Sequence, residues 1–301
     1  MRKIQFVILF LVFCSFTSGT YAARKAKRIV LIALDGISVE GFEKARTPNL
    51  DALLAGGSVS LDTRVVMPSV TLPNWTSHLT GSGPEQHGVF NNEWVLEKAV
   101  YPVPEKDAEG YYPSVFSVLK DKLPGVRTAF YYNWINLFYP YNKQYLDEVS
   151  YLENDAYVPN YEKAFQFIVS NRKSPTLVFL YSVHTDHAGH KHKWMSPQYI
   201  RSIEEADEQI GKFIAKMKDE GLYESTHFMF LSDHGGINYG HGGTSVSEMI
   251  VPWGIAGPGI KKGFKIVEPN NTVNTAAVIV HLFGVKKPLS WTGEVIESIF
   301  K

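Results

Sequence analysis

Cysteine is almost missing: the 301-residue chain has one, Cys14. A lone thiol closes no disulfide within the chain and builds no thiolate cluster. The fold must therefore rest on a packed core, and any bound metal on oxygen and nitrogen donors. Excess charge is missing too. Thirty Lys and Arg balance thirty Asp and Glu, which removes the basic footprint of a nucleic-acid-binding protein, and no block of like charge marks a tail. No repeat and no low-complexity segment points to a solenoid or a linker. The apolar run Phe6–Phe13, "FVILFLVF", is too short for a good membrane span.

That run has another reading. Arg2 and Lys3 precede it, and Thr20-Tyr21-Ala22 follows with small residues at both ends of a cleavage triplet. The pattern predicts a signal peptide over 1–22, a mature catalytic domain over 23–301, and a periplasmic or secreted location with no stable membrane span after cleavage. Lipid anchoring through Cys14 is the less favoured alternative, because bulky Phe13 stands where a small residue is usual. The mature chain would then carry no cysteine.

Hydrophobic residues make up 45% of the chain, enough for a substantial core. "RIVLIAL" (28–34) is β-rich without polar alternation, as expected of a strand covered on both faces. The segments 126–132, 176–183, 227–233 and 251–257 are further strand candidates. Helical patterns fall in "TPNLDALLAGG" (47–57), with Pro48 near its start and a glycine pair near its stop, and at 161–170, 196–220 and 274–283. Strands alternating with helices predict an α/β/α sandwich with a largely parallel central sheet. The stretches 93–113 and 131–145 show no period and are expected to be long loops shaping a substrate mouth.

Polar residues collect where the strands end. Asp35 closes the first; Asp186 and His190, four apart, follow another; Asp233 and His234 close a third, and His241 lies just beyond in "NYGHGG". Ligands of open α/β sheets bind beyond the carboxyl ends of strands. Three carboxylates and three imidazoles are too many for one tetrahedral ion and suit two. Mixed N and O donors without thiolate favour Zn, with Mn or Fe as alternatives. Two such ions about 4 Å apart can clamp the attacking and leaving oxygens of an in-line phosphoryl displacement. His184, His187 and His192 read as solvated or supporting, and His78, His87, His227 and His281 as structural.

In "SVTLPNWTSHLTG" (69–81), Thr71 stands two residues before a proline that favours a first helical turn. It could simply cap that helix. Beside a metal its hydroxyl could instead be a nucleophile, with helix N–H groups and the Asn74 side chain facing a phosphate.

The ordered set "LDG", "TLPNW", "DHAGH", "SDHGG" and "GHGG" resembles the alkaline phosphatase superfamily, and within it the type I phosphodiesterases and nucleotide pyrophosphatases. The resemblance covers nearly the whole mature chain. It implies an alkaline-phosphatase-like core without a large cap domain, and hydrolysis of a small-molecule phosphate ester rather than a nucleic-acid polymer. It implies one ion held by Asp35, Thr71, Asp233 and His234, a second held by Asp186, His190 and His241, a phosphate contact from Asn74, and a covalent phospho-threonine hydrolysed in a second step. Nucleotide pyrophosphatases commonly carry an aromatic residue after the nucleophile; Leu72 departs from that pattern and puts a nucleotide preference in doubt. Phosphodiesterase activity is the leading expectation. A phosphomonoesterase and an inactive metal-binding relative are the alternatives.

Replacing the proposed nucleophile separates these readings. Thr71→Ala is expected to abolish turnover of a chromogenic phosphate ester while the fold and most metal binding persist; Thr71→Ser is expected to keep part of the activity. Wild-type turnover by Thr71→Ala would show that the hydroxyl is only a cap.

Overall fold

Strand β1 (Arg28–Leu34) is buried along its whole length. Its side chains divide by the two-residue period of a strand: Ile29, Leu31 and Ala33 enter one apolar core, and Val30, Ile32 and Leu34 enter the other. The computed structural model describes residues 25–301. The expected signal peptide, its Thr20–Ala22 triplet and Cys14 lie outside the described residues. Among those described, no helix is long and apolar enough to cross a membrane.

The other strands are β2 (Gly57–Arg64), β3 (Arg127–Tyr132), β4 (Glu148–Tyr151), β5 (Thr176–Ser182), β6 (Thr226–Leu231), β7 (Ile250–Ala256), β8 (Phe264–Lys265) and β9 (Asn270–Asn271). They form one sheet in the order β4-β3-β5-β1-β6-β7-β2-β8, with β9 beside β2. The five strands from β4 to β6 run parallel; β7 is antiparallel to both its neighbours. The helices are α1 (Val39–Lys44), α2 (Pro48–Ala55), α3 (Thr71–Thr80), α4 (Pro84–His87), α5 (Val115–Lys122), α6 (Val158–Ser170), α7 (His184–His192), α8 (Pro197–Asp219), α9 (Val246–Met249) and α10 (Asn274–Leu282). One face of the sheet is covered by α3, α5 and α10, through Leu72, Trp75, Phe116 and Ile279. The opposite face is covered by α2, α6 and α8, through Leu50, Leu53, Phe167, Ile203 and Phe213. The result is the three-layer α/β/α sandwich expected from the sequence.

What matters for function is the register at the centre. β1 lies between β5 and β6, with Leu34 opposite Ser182 and Ala33 opposite Leu231. All three strands run the same way, so the residues that follow them emerge side by side at one edge.

The sequence patterns placed the apolar strands and long helices to within a few residues. They missed β2 and β4, which are short of apolar residues and partly exposed. Helix α3 also starts two residues earlier than Pro73 suggested: Val70 is the N-cap, and Thr71 is the first helical residue. Residues 93–113 are irregular apart from one short 3-10 turn, Leu96–Lys98. The stretch 131–145 is only partly a loop, because Tyr131 and Tyr132 belong to β3 and two 3-10 turns follow.

Candidate active site

The loops after β1 and β6 bring Asp35, Asp233 and His234 together; the three can point donor atoms at a common centre. His234 Nε2 lies 3.4 Å from Asp35 Oδ1 and 3.3 Å from Asp233 Oδ2. Thr71, at the start of α3, places its Oγ1 3.2 Å from the same nitrogen. Each carboxylate is held by its other oxygen. Asp35 Oδ2 accepts from the Tyr181 hydroxyl at 2.5 Å and from Trp75 Nε1 at 3.2 Å, while Asp233 Oδ1 accepts from Gly36 N at 3.1 Å.

A second group consists of Asp186, His190 and His241. Asp186 and His190 lie one turn apart on α7, as their spacing predicts. Asp186 Oδ1 is 3.5 Å from His190 Nε2 and 3.6 Å from His241 Nε2. The two groups adjoin: the His234 and His241 rings stack with centroids 3.7 Å apart. Close approach of Asp186 to β1 depends on Gly36, whose φ is +72° and whose position would set a Cβ 3.0 Å from the Asp186 backbone.

All three imidazoles are oriented alike. Nδ1 of His190 faces Tyr239 O at 2.8 Å, Nδ1 of His234 faces Gly235 O at 2.8 Å, and Nδ1 of His241 faces Ser69 O at 3.0 Å. A carbonyl can only accept, so each Nδ1 carries the proton and each Nε2 keeps its lone pair.

These residues fit a pair of divalent cations. Asp35 Oδ1, Asp186 Oδ1 and Asp233 Oδ2 are buried without any hydrogen-bond partner. A buried acceptor left unpaired costs about 1–3 kcal/mol, and three share this cleft. Burial, then repulsion from Asp186 on Asp35 and from Asp35 on Asp233, holds both carboxyls well above the usual range. Burial pushes Asp186 up to about 7. Burial also lowers His234 far below the ordinary imidazole value and lowers His241. Neutral imidazoles and carboxylates that need positive charge are the donor set of a metal site.

Asn74 requires correction. Its side chain is buried and fully used: Oδ1 accepts from Val66 N at 2.8 Å, and Nδ2 donates to the carbonyls of Pro68 and Val70, each at 3.0 Å. It fastens the 66–70 loop beneath α3 and presents nothing to a phosphate. The asparagine beside Thr71 is Asn92. Its Oδ1 accepts from Leu72 N at 2.8 Å and its backbone carbonyl accepts from Asn136 Nδ2 at 2.8 Å. Among the described residues its own side-chain NH2 makes no hydrogen bond, so it can donate to an oxygen near Thr71. No motif or period marks Asn92 in the sequence; only the return of the loop onto α3 singles it out.

The remaining histidines divide as follows. His187 is not simply solvated: its Nδ1 lies 2.6 Å from Asp155 Oδ1. His184 is fixed between Ser182 and the Ser202 carbonyl. His78, His87 and His227 make internal hydrogen bonds.

The architecture is an α/β/α core with two adjoining carboxylate–imidazole groups at its strand ends, each able to hold a divalent cation. The sequence profile of type I phosphodiesterases and nucleotide pyrophosphatases matches residues 29–249, and the chain belongs to that family. It is 28% identical over 243 residues to an uncharacterised pyrophosphatase/phosphodiesterase of Schizosaccharomyces pombe, covering 73% of this chain and 47% of that protein. It is 24% identical over 244 residues to the bis(5'-adenosyl)-triphosphatase ENPP4 of Bos taurus, covering 77% of this chain and 52% of that one. The chain thus spans about half the length of these relatives. Among solved structures, murine ectonucleotide pyrophosphatase/phosphodiesterase 5, an inactive threonine-to-alanine variant in complex with AMP, superposes with a TM-score of 0.77. The match covers 92% of this chain and 100% of that one at 14% identity.

Two predictions follow from the geometry. Asn74→Ala is expected to cost roughly 1–3 kcal/mol of stability by stranding Val66 N. Asn92→Ala is expected to cost a comparable amount by stranding Leu72 N and, in the folded protein, to lower kcat about 100-fold as well. Thermal denaturation and turnover of a chromogenic diester check the pair, and an unchanged kcat in Asn92→Ala would remove that residue from the site.

The second concerns pH. A carboxyl whose folded pKa is raised stays protonated to higher pH, and a cation must displace that proton. With Asp186 near 7, the rise in melting temperature that zinc confers over the chelated protein should be small at pH 5, grow through pH 7 and level off above it. Because the difference is taken at each pH, titration of histidines outside the site cancels. A stabilisation that is flat from pH 5 to 8 would contradict the ligand assignment.

Proposed function

We propose that this chain is an exported, two-metal phosphodiesterase that works through a phospho-threonine at Thr71. The observation that carries the reading is the set of three unpartnered carboxylate oxygens facing imidazole Nε2 atoms, with the Thr71 hydroxyl among them. Asp35, Asp233, His234 and Thr71 would hold one ion; Asp186, His190 and His241 would hold the other. The all-N/O donor set favours zinc. Bound there, such ions lower the pKa of a coordinated hydroxyl and neutralise charge on phosphate oxygens.

The protein's own groups do the rest. Thr71 Oγ1 is fixed at the first turn of α3, where backbone N–H groups and the helix dipole favour an anion. Its hydroxyl gives up its proton as the oxygen attacks phosphorus, the Oγ1–P bond forms, the bond from phosphorus to the first ester oxygen breaks, and that arm leaves as the alcohol, having taken up a proton. Asn92 donates through Nδ2 to a non-bridging oxygen as charge builds there. Water then attacks the phospho-threonine from the vacated side, regenerating the hydroxyl and releasing the second ester as a phosphomonoester.

The diester preference is a matter of charge. A monoester dianion presents one more charged oxygen, which an added cationic side chain would serve. No Arg or Lys occurs between Ser69 and His87, and Lys191 and Lys193 are both exposed. The relatives named as an ectonucleotide pyrophosphatase/phosphodiesterase and as a bis(5'-adenosyl)-triphosphatase support a small phosphate compound as substrate and, with the expected signal peptide, an exported enzyme. Leu72 speaks against base stacking directly after the nucleophile, because it is 0% exposed and packed into the core.

For matched mono- and diesters of one leaving group, kcat/KM is expected to favour the diester. A preference for the monoester of tenfold or more, about 1.4 kcal/mol, would reverse the reading. Lys191→Ala and Lys193→Ala would then show whether either lysine serves the extra oxygen.

A further inference from the structure

We propose that Trp194 is a positioning residue, whose indole holds the second ion's ligands, His190 and His241, in place beside the Asp35–Asp233–His234 group. The inference rests on the two-metal reading above. The candidate ligands come from three separate segments: the turn after β1, helix α7 and the loop 233–241. Trp194 lies between α7 and α8, is 2% exposed and touches all three. Its Nε1 donates to the Gly36 carbonyl at 3.0 Å, and the amide of that same Gly36 donates to Asp233 Oδ1. Its ring covers Gly189, which stands between Asp186 and His190, and Gly236, which stands between His234 and His241. A Cβ on Gly189 would fall 2.7 Å from the indole carbons, and one on Gly236 closer still. Both glycines make room for one side chain. The ring is turned edge-on to His190, with centroids 5.1 Å apart and planes at 86°, and to His241 at 5.9 Å and 63°. Its backbone N–H donates to Asn238 O at 2.7 Å, one residue before the Tyr239 carbonyl that holds His190 Nδ1.

The backbone is bent out of its usual range to put the indole there. Lys193 and Met195, on either side, have φ of +78° and +66°, values that a residue with a Cβ keeps only where the surroundings impose them. A core tryptophan that merely fills space needs no such bend. The two groups also depend on the indole unequally. Asp35 and Asp233 are 0% exposed, and Asp35 is held by Trp75 and Tyr181. The Gly36 carbonyl accepts from the Tyr199 hydroxyl at 2.8 Å as well, so the peptide that serves Asp233 keeps a tether when the indole is lost. The His190 side chain is 42% exposed, and beyond the Tyr239 carbonyl its ring rests on Trp194 and His241. Removing the indole therefore frees His190 and the adjoining loop while the first group stays put.

The test measures zinc affinity of the full chain by competition with a chromophoric chelator, with one group removed at a time. In an Asp233→Ala background the Asp186–His190–His241 group is left intact; in an Asp186→Ala background the Asp35–Asp233–His234 group is. Trp194→Leu is expected to weaken zinc about 10- to 100-fold in the first background, the usual effect of removing a partner that supports metal ligands, and by less than about threefold in the second. Trp194→Met, whose flexible chain fills the space without a ring edge, is expected to do the same and carries the test should Trp194→Leu not fold. Trp194→Phe, which restores an aromatic edge, is expected to recover most of the affinity. Trp291 is the control. It too is buried, donates Nε1 to a backbone carbonyl and covers a glycine, Gly81, but at the far end of α3 from Thr71. Trp291→Leu is expected to lower the melting temperature and leave both affinities unchanged. Equal weakening in the two backgrounds, no weakening in the first, or the same selective loss from Trp291→Leu would overturn the proposal and leave the two-metal reading standing. A wild-type chain that takes up a single zinc at saturation would overturn both.

Discussion

Three carboxylates without a counter-charge, brought together at the carboxyl ends of three adjacent parallel strands, are the constraint that organises this molecule. Asp35, Asp186 and Asp233 are each almost fully buried, and each leaves one oxygen unpaired. Like charges at that depth do not assemble by themselves: burial and repulsion both favour the protonated form. The surrounding structure is arranged so that one oxygen of Asp35 and one of Asp233 are satisfied by the protein while the other is kept for a cation. Trp75 and the Tyr181 hydroxyl serve Asp35, and the Gly36 amide serves Asp233.

The same logic extends outward. Backbone carbonyls fix the tautomers of His190, His234 and His241, so the imidazoles are aimed before any ligand arrives. Ser69 joins the two halves of the site. Its carbonyl holds His241 and its hydroxyl donates to Gly243 O at 2.7 Å, while Thr71 follows two residues later. Glu248, buried under the same loop, accepts from Gly243 N at 2.8 Å and keeps the glycine-rich segment in place. Asn74 does the equivalent for the approach to α3. The segment that carries Thr71 and the loops that carry the carboxylates and imidazoles are thus fastened to each other as well as to the sheet, which is how loops attain positional accuracy.

Much of the fold was legible because its central strands are covered on both faces. "RIVLIAL" and "TLVFLYS" are runs that only a doubly covered strand tolerates, and α8 carries a clear helical stripe. β2 was not legible: "GSVSLDTR" has serines at buried positions and gains its place from pairing with β7. The carboxylates and histidines were readable because each stands in a short motif at a strand end or on one helical turn. Asn92 was not, because it lies in an aperiodic loop 21 residues after Thr71. Asn74 misled for the opposite reason, standing three residues after Thr71 in sequence yet with its side chain spent on the 66–70 loop.

By itself the sequence determined which chemical groups are present and which elements carry them: an α/β alternation, six N and O donors, one threonine at a helix start and no thiolate among them. Those are local properties, set by residue type, spacing and period. The tertiary structure alone decided which oxygens remain unpaired and which asparagine lies beside Thr71. Those depend on contacts between residues tens to nearly two hundred positions apart, such as Gly36 with Asp233 and Asn92 with Leu72, and no local pattern encodes them.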